Sequence, residues 1–169
     1  MKVIVINGKP TAGKSTFIKL CQILYNFTYE LSMVDWVKRI ASIDFGWNGI
    51  KDEKGRRLLA DIKETACRYN KNIIYNDIDN NIRYYSEHYH IANQSPIFFI
   101  NARNPEDIKY LVNKYNGISL FIDNPNVPMV ESNSEDKNIE NYKYDITIVN
   151  DGTLEDLKAK AKEFLSSLK

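Results

Sequence analysis

Val3-Ile4-Val5-Ile6-Asn7-Gly8-Lys9-Pro10-Thr11-Ala12-Gly13-Lys14-Ser15-Thr16 is the stretch whose reading decides the fold. It opens on a continuous run of β-branched apolar residues, the pattern of a central parallel strand buried on both faces. From Gly8 to Ser15 the residues match G-x-x-x-x-G-K-[ST] in full. Each fixed position has a mechanical reason. The glycines let the backbone curl so that its N–H groups face inward around a phosphate. A helix beginning there points its positive dipole end at the same anion. Lys14 supplies a point charge for the β- and γ-phosphates, and Ser15 offers a hydroxyl to Mg²⁺. Thr16 is expected near the α-phosphate. The expected ligand is ATP with Mg²⁺, cradled by Gly8, Lys9, Thr11, Ala12, Gly13, Lys14, Ser15 and Thr16.

Outward from this loop, a helix is predicted from Gly13 to about Asn26, with Phe17, Ile18, Cys21 and Leu24 on its apolar face. Thr28–Val34 reads as a second strand and Asp35–Ile43 as a short helix, with Trp36, Val37 and Ile40 together on one face. Residues 45–54 hold two glycines and several charges and read as a loop. Leu58, Leu59, Ile62 and Ala66 mark one further helix; Ile74, Ile78, Ile82 and Tyr85 mark another. Pro96–Asn101 is again a compact apolar strand. Asn104-Pro105-Glu106-Asp107 then supplies an N-cap, a proline at the first helical position and two first-turn acids. Ile108, Leu111, Val112 and Tyr115 form that helix's apolar face, and Gly117 is placed to end it. Ile118–Ile122 and Tyr144–Asn150 read as the last strands, separated by a polar, irregular stretch. Thr153 is expected to cap a final helix with Leu154, Leu157, Ala161, Leu165 and Leu168 inward. Strands alternating with helices give an α/β chain: a five-stranded parallel sheet with helices on both faces. Ligands of such sheets bind at the C-terminal ends of the strands.

A chain of 169 residues, 43% hydrophobic and 27% charged, suits one globular domain with a sizeable core. The net charge of +1 gives no global pull towards nucleic acid or a membrane surface. Cys21 and Cys67 stand in neither a metal nor a redox spacing, which suits two reduced core thiols in the cytoplasm. No apolar run reaches the roughly 18 residues of a membrane span, and the opening residues do not form a signal peptide. Tyr84, Tyr85, His88, Tyr89 and His90 cluster without metal spacing and read as packing residues.

The loop alone does not separate kinases, GTPases and motor-type ATPases. Asn113-Lys114-Tyr115-Asn116 lacks the aspartate of a guanine reader, and the run Ile97–Ile100 ends in Asn101 where an acid would mark an AAA-type ATPase. Several segments together resemble the P-loop nucleoside and nucleotide monophosphate kinases. The likeness is greatest to phage and bacterial deoxynucleoside monophosphate kinases, with dephospho-coenzyme A kinase as a relative. Beyond the loop it rests on Met33-Val34-Asp35-Trp36-Val37-Lys38, Glu53-Lys54-Gly55-Arg56-Arg57-Leu58-Leu59, Ile100-Asn101-Ala102-Arg103-Asn104-Pro105-Glu106 and Asn150-Asp151-Gly152-Thr153-Leu154-Glu155-Asp156-Leu157. The resemblance implies a three-layer P-loop NTPase fold over residues 1–169, an acceptor-binding helical part at 28–95 and a lid-like segment at 124–143. The chain departs from the group in that lid. Residues 124–141 contain no arginine, and their one basic residue is Lys137.

The resemblance also implies roles. Lys14, Asp35 and Arg103 are the expected catalytic residues. Ser15 and Asp35 are the expected metal residues. Asp35, Trp36, Lys38, Arg56, Arg57 and Arg103 are the expected acceptor contacts. Each has a plain structural alternative. Asp35 suits a helix start, and Arg56 and Arg57 suit a solvated helix face. Trp36, Phe45 and Trp47 suit packing as readily as stacking on a base. Arg103 is the exception, because a cation is unhelpful just before a helix N-terminus. The function expected is transfer of the ATP γ-phosphate to a nucleotide, foremost a (deoxy)nucleoside monophosphate. A kinase of another acceptor (a modified DNA base, a polynucleotide end or a metabolite) and a non-catalytic nucleotide-binding regulator stay open. The partner expected is a small-molecule nucleotide, not a membrane or a long nucleic acid. Whether the chain forms a homodimer is also open.

Overall fold

The computed structural model describes residues 1–88, 94–127 and 142–168. Its centre is β1 (Lys2–Gly8), in which Val3 to Gly8 are all buried. Parallel neighbours flank it: β3 (Ile97–Asn101) on one side and β4 (Ile118–Asp123) on the other. β5 (Ile146–Val149) adds in parallel to β4, and β2 (Thr28–Ser32) takes the opposite edge beside β3, giving the order β2-β3-β1-β4-β5. The continuous apolar runs are explained by this placement, since the central strands are covered on both faces.

Alternate residues serve two cores. Ile4, Ile6, Phe99, Leu120 and Ile122 meet α1 (Lys14–Leu24) and α6 (Leu154–Ser167) through Phe17, Ile18, Leu157, Ala161 and Phe164. Phe17, Phe99 and Phe164 pack at centroid separations of 5.7 to 6.2 Å. Burying each such side chain contributes roughly 1.5–3 kcal/mol. On the other face α5 (Pro105–Tyr115) packs against β1 and β4 with Ile108 and Leu111 buried. Asn104 accepts a hydrogen bond from the Glu106 N–H and Pro105 opens the helix, as its sequence predicts. α6 begins on a full capping box between Thr153 and Asp156.

The chain divides into two compact units, Met1–Glu30 with Tyr89–Lys169, and Leu31–His88. The second unit holds α2 (Asp35–Phe45), α3 (Glu53–Tyr69) and α4 (Ile73–Glu87), with α3 packing on both α2 and α4. Both tryptophans, Trp36 and Trp47, belong to it. No helix among the described residues is long and apolar enough to cross a membrane.

Several local expectations are corrected. Leu24 and Leu154 are 37% and 58% exposed, because each sits at a helix end; Leu20 and Phe164 are buried instead. Asn116, at φ 47°, takes the left-handed position that ends α5. Gly117 is needed next to it for a different reason: a Cβ there would lie 2.8 Å from the Val3 carbonyl oxygen. β2 stops at Ser32, whose hydroxyl accepts the Val34 N–H, so Asp35 opens α2 three residues beyond the strand. Cys21 is buried, whereas Cys67 is only half-buried. Tyr84 contacts Tyr85 and His88, while Tyr89, His90 and the bulk of the lid-like segment fall outside the described residues.

Candidate phosphate-binding site

The loop leaves the sheet at Gly8, which is still in register with Ile122. Its φ is 149°, and a Cβ would lie 2.3 Å from the Ile122 carbonyl oxygen. Gly13, at φ 101°, faces the Asn150 amide, whose Nδ2 would be 2.4 Å from a Cβ. Both glycines are therefore fixed by close approach as well as by conformation. Between them Thr11 is held at φ 62°, a region β-branched residues avoid, at a cost of order 1–3 kcal/mol.

Lys14 folds back over this loop. Its Nζ donates to the carbonyl of Gly8 at 2.5 Å and to that of Lys9 at 2.8 Å. Helix α1 then starts on Gly13 with no side-chain cap and no acid in its first turn. By helix geometry the N–H groups of Lys14, Ser15 and Thr16 have no acceptor within the helix. In α3, α5 and α6 a side chain of Asp52, Asn104 or Thr153 fills that role. The hydroxyl-bearing residues Ser15 and Thr16 are exposed on this first turn. A collar of amides, a positive helix end and an ammonium fit a polyphosphate, and an exposed hydroxyl fits the oxygen preference of Mg²⁺.

The residues bracing the loop come from distant parts of the chain, and sequence reading missed them. Asn7, 1% exposed, accepts the Gly8 N–H at 2.8 Å. Its amide donates to the Tyr144 hydroxyl at 2.8 Å and to the Arg103 carbonyl at 3.3 Å. Tyr144 packs on Phe121, and burial pushes its hydroxyl up to about 12, so it stays protonated. Asn150 donates from its side chain to the Ala12 carbonyl at 2.9 Å and from its backbone to the Asp123 carbonyl at 2.6 Å. Asp123 ends β4, with its carboxylate 3.9 Å from the Lys9 ammonium. Arg103 lies between β3 and α5, joined to this node through its backbone. The strand-end Asn101 donates to Glu30 at 2.8 Å.

Asp35, Trp36, Lys38, Arg56 and Arg57 belong to the second unit. Asp35 pairs with Lys38 at 2.9 Å within α2. Arg56 is exposed and donates from Nε to the Lys51 carbonyl at 2.9 Å, and Arg57 is exposed beside it. Trp36 is half-buried. Trp47 donates from Nε1 to the Ile50 carbonyl, against Gly55, where a Cβ would lie 2.8 Å from that nitrogen.

No family model matches the chain, and no curated protein does. Solved structures do. TT1252 from Thermus thermophilus aligns with a TM-score of 0.58 at 15% identity, over 99% of this chain and 98% of its own. Dephospho-CoA kinase from Campylobacter jejuni aligns with a TM-score of 0.58 at 15% identity, over 99% and 97%. The fold is the three-layer P-loop NTPase fold. Its 2-3-1-4-5 strand order places the phosphate loop at the C-terminal end of the central strand, where parallel sheets bind ligands.

Proposed function

We propose that this chain is an ATP-dependent phosphotransferase acting on a nucleotide, specifically a (deoxy)nucleoside monophosphate. The observation that carries this reading is the Lys14 ammonium, held over a loop whose glycines admit no side chain and which leads into an uncapped helix. Phosphoryl transfer asks mainly for positioning and for charge aimed at the transferring group. Lys14 supplies such a charge, and the loop amides hold the chain of phosphates in line. The Ser15 hydroxyl and the Asp35 carboxylate are the groups that would hold Mg²⁺, which would supply neutralisation of phosphate charge when bound. Arg103, with Arg56, Arg57 and Lys38, orients the acceptor phosphate, and Trp36 contributes to the acceptor site. The fold shared with a dephospho-CoA kinase agrees with this assignment.

A second reading is a nucleotide-binding regulator without turnover. It is favoured by the arginine-free stretch 124–141 and by the carboxylate of Asp123 beside the loop. ADP release from Mg-ATP, measured with and without each (deoxy)nucleoside monophosphate, separates the two. Acceptor-dependent turnover is expected, and Lys14→Ala should reduce it at least about 100-fold with an unchanged melting profile. Intact ATP binding with no acceptor-dependent turnover would sink the kinase reading.

A further inference from the structure

We propose that the Lys9 side chain is a second phosphate-binding cation of this loop and that Asp123 positions it. The inference rests on the reading that the loop binds the polyphosphate of ATP. Gly8 pairs with Ile122, so the next residues along the two strands, Lys9 and Asp123, lie side by side where the sheet gives way to the loop. The two charges are 3.9 Å apart, with side chains 17% and 34% exposed. A carboxylate at that level repels a polyphosphate, and its screening by water is reduced by partial burial. Lys9 neutralises it.

The loop chemistry gives Lys9 a further reason to engage the ligand. Pro10 follows it and has no N–H, so one position of the cradle offers no amide to a phosphate. The backbone of Lys9 is fixed, since its carbonyl accepts from Lys14 Nζ at 2.8 Å and from the Ala12 N–H at 3.2 Å. Its ammonium, on a flexible four-carbon stem with three donors, is the adjustable part. Held by Asp123 at the loop's edge, it can bond a phosphate oxygen and the carboxylate together. Asp123 acts through Lys9 and is a positioning residue.

The test is calorimetric titration of ATP, with and without Mg²⁺, into the full chain and its Lys9→Gln, Lys9→Arg, Asp123→Asn and Lys9→Gln/Asp123→Asn variants. Lys9→Gln should weaken ATP about tenfold or more, having lost a charged hydrogen bond and left Asp123 unopposed. Lys9→Arg should retain most of the affinity. Asp123→Asn should weaken ATP by about two- to fivefold, less than Lys9→Gln does, because the cation stays but is no longer held at the loop's edge, and tighter binding would deny Asp123 a positioning role. The double variant should bind better than Lys9→Gln alone. Unchanged affinity in Lys9→Gln overturns the proposal, as does weaker Mg-ATP binding with unchanged Mg-free binding in Asp123→Asn, the mark of a metal-organising carboxylate. If the unsubstituted chain gives no heat with ATP, it is the phosphate-loop reading itself that fails.

Discussion

Gly13→Ala probes one of the loop's two close approaches. Two separable costs follow from the geometry. The backbone sits at φ 101°, and a side chain there costs about 1–2 kcal/mol. The new Cβ would also meet Asn150 Nδ2 at 2.4 Å. That atom is the end of a side chain and can move, but moving it breaks its hydrogen bond to the Ala12 carbonyl, worth about 0.5–1.5 kcal/mol. The sum is about 1.5–3.5 kcal/mol. In an Asn150→Ala background the collision is absent and that hydrogen bond is already gone, so Gly13→Ala should cost only the backbone share of about 1–2 kcal/mol. Urea unfolding of the four proteins closes a double-mutant cycle, with an expected coupling of about 0.5–1.5 kcal/mol. A cost that agrees in both backgrounds to within about 0.3 kcal/mol would refute the packing of Asn150 on Gly13.

Arg103→Ala should raise the acceptor's KM more than that of ATP; a change confined to ATP would argue against an acceptor role. Burial pushes the Cys21 thiol from its ordinary 9.0 up to about 12. The folded chain thus keeps a proton that the unfolded chain gives up, and stability should fall as pH rises from about 9 towards 12. Cys21→Ala should flatten that alkaline limb, and a thiol reagent near neutral pH should label Cys67 well before Cys21; equal labelling of both contradicts the burial of Cys21. Hydrogen bonds from the backbone N–H and then the hydroxyl of Thr153 hold the Asp156 carboxyl below its ordinary 3.8. Its contribution is present above that value and lost as pH falls through the lowered one, so Asp156→Ala should reduce Tm at neutral pH and make little difference near about pH 2. An equal Tm difference at both pH values would dismiss the capping box as its source.

What could be read from the sequence was local. The run Val3–Ile6, the spaced glycines and the Asn104-Pro105 helix start each act within a few residues, so order along the chain is enough. Helix periodicity gave the buried face of α1 through Phe17, Ile18 and Cys21, but not where the helix runs past the sheet, which is why Leu24 was misplaced. At the end of α5 two adjacent residues could have taken the left-handed turn, and only packing against Val3 assigns Gly117 its other task. The braces of the candidate site are tertiary. Asn7 reaches Tyr144 across 137 positions and Asn150 reaches Ala12 across 138, and an asparagine at the end of a strand carries no local pattern announcing such a role. Asp35 and Arg56 illustrate the reverse case: their segments were picked out by resemblance, and the bonds seen for them, to Lys38 and to the Lys51 carbonyl, are neighbourly ones.

Both indole rings lie between Leu31 and His88, whereas the best-protected sulfur, Cys21, lies in the other unit. Nature has thereby labelled the two halves with different reporters. Tryptophan emission follows the helical unit, and delayed alkylation of the inner thiol follows the sheet. Whether the halves melt together can be read without adding a dye or changing a residue.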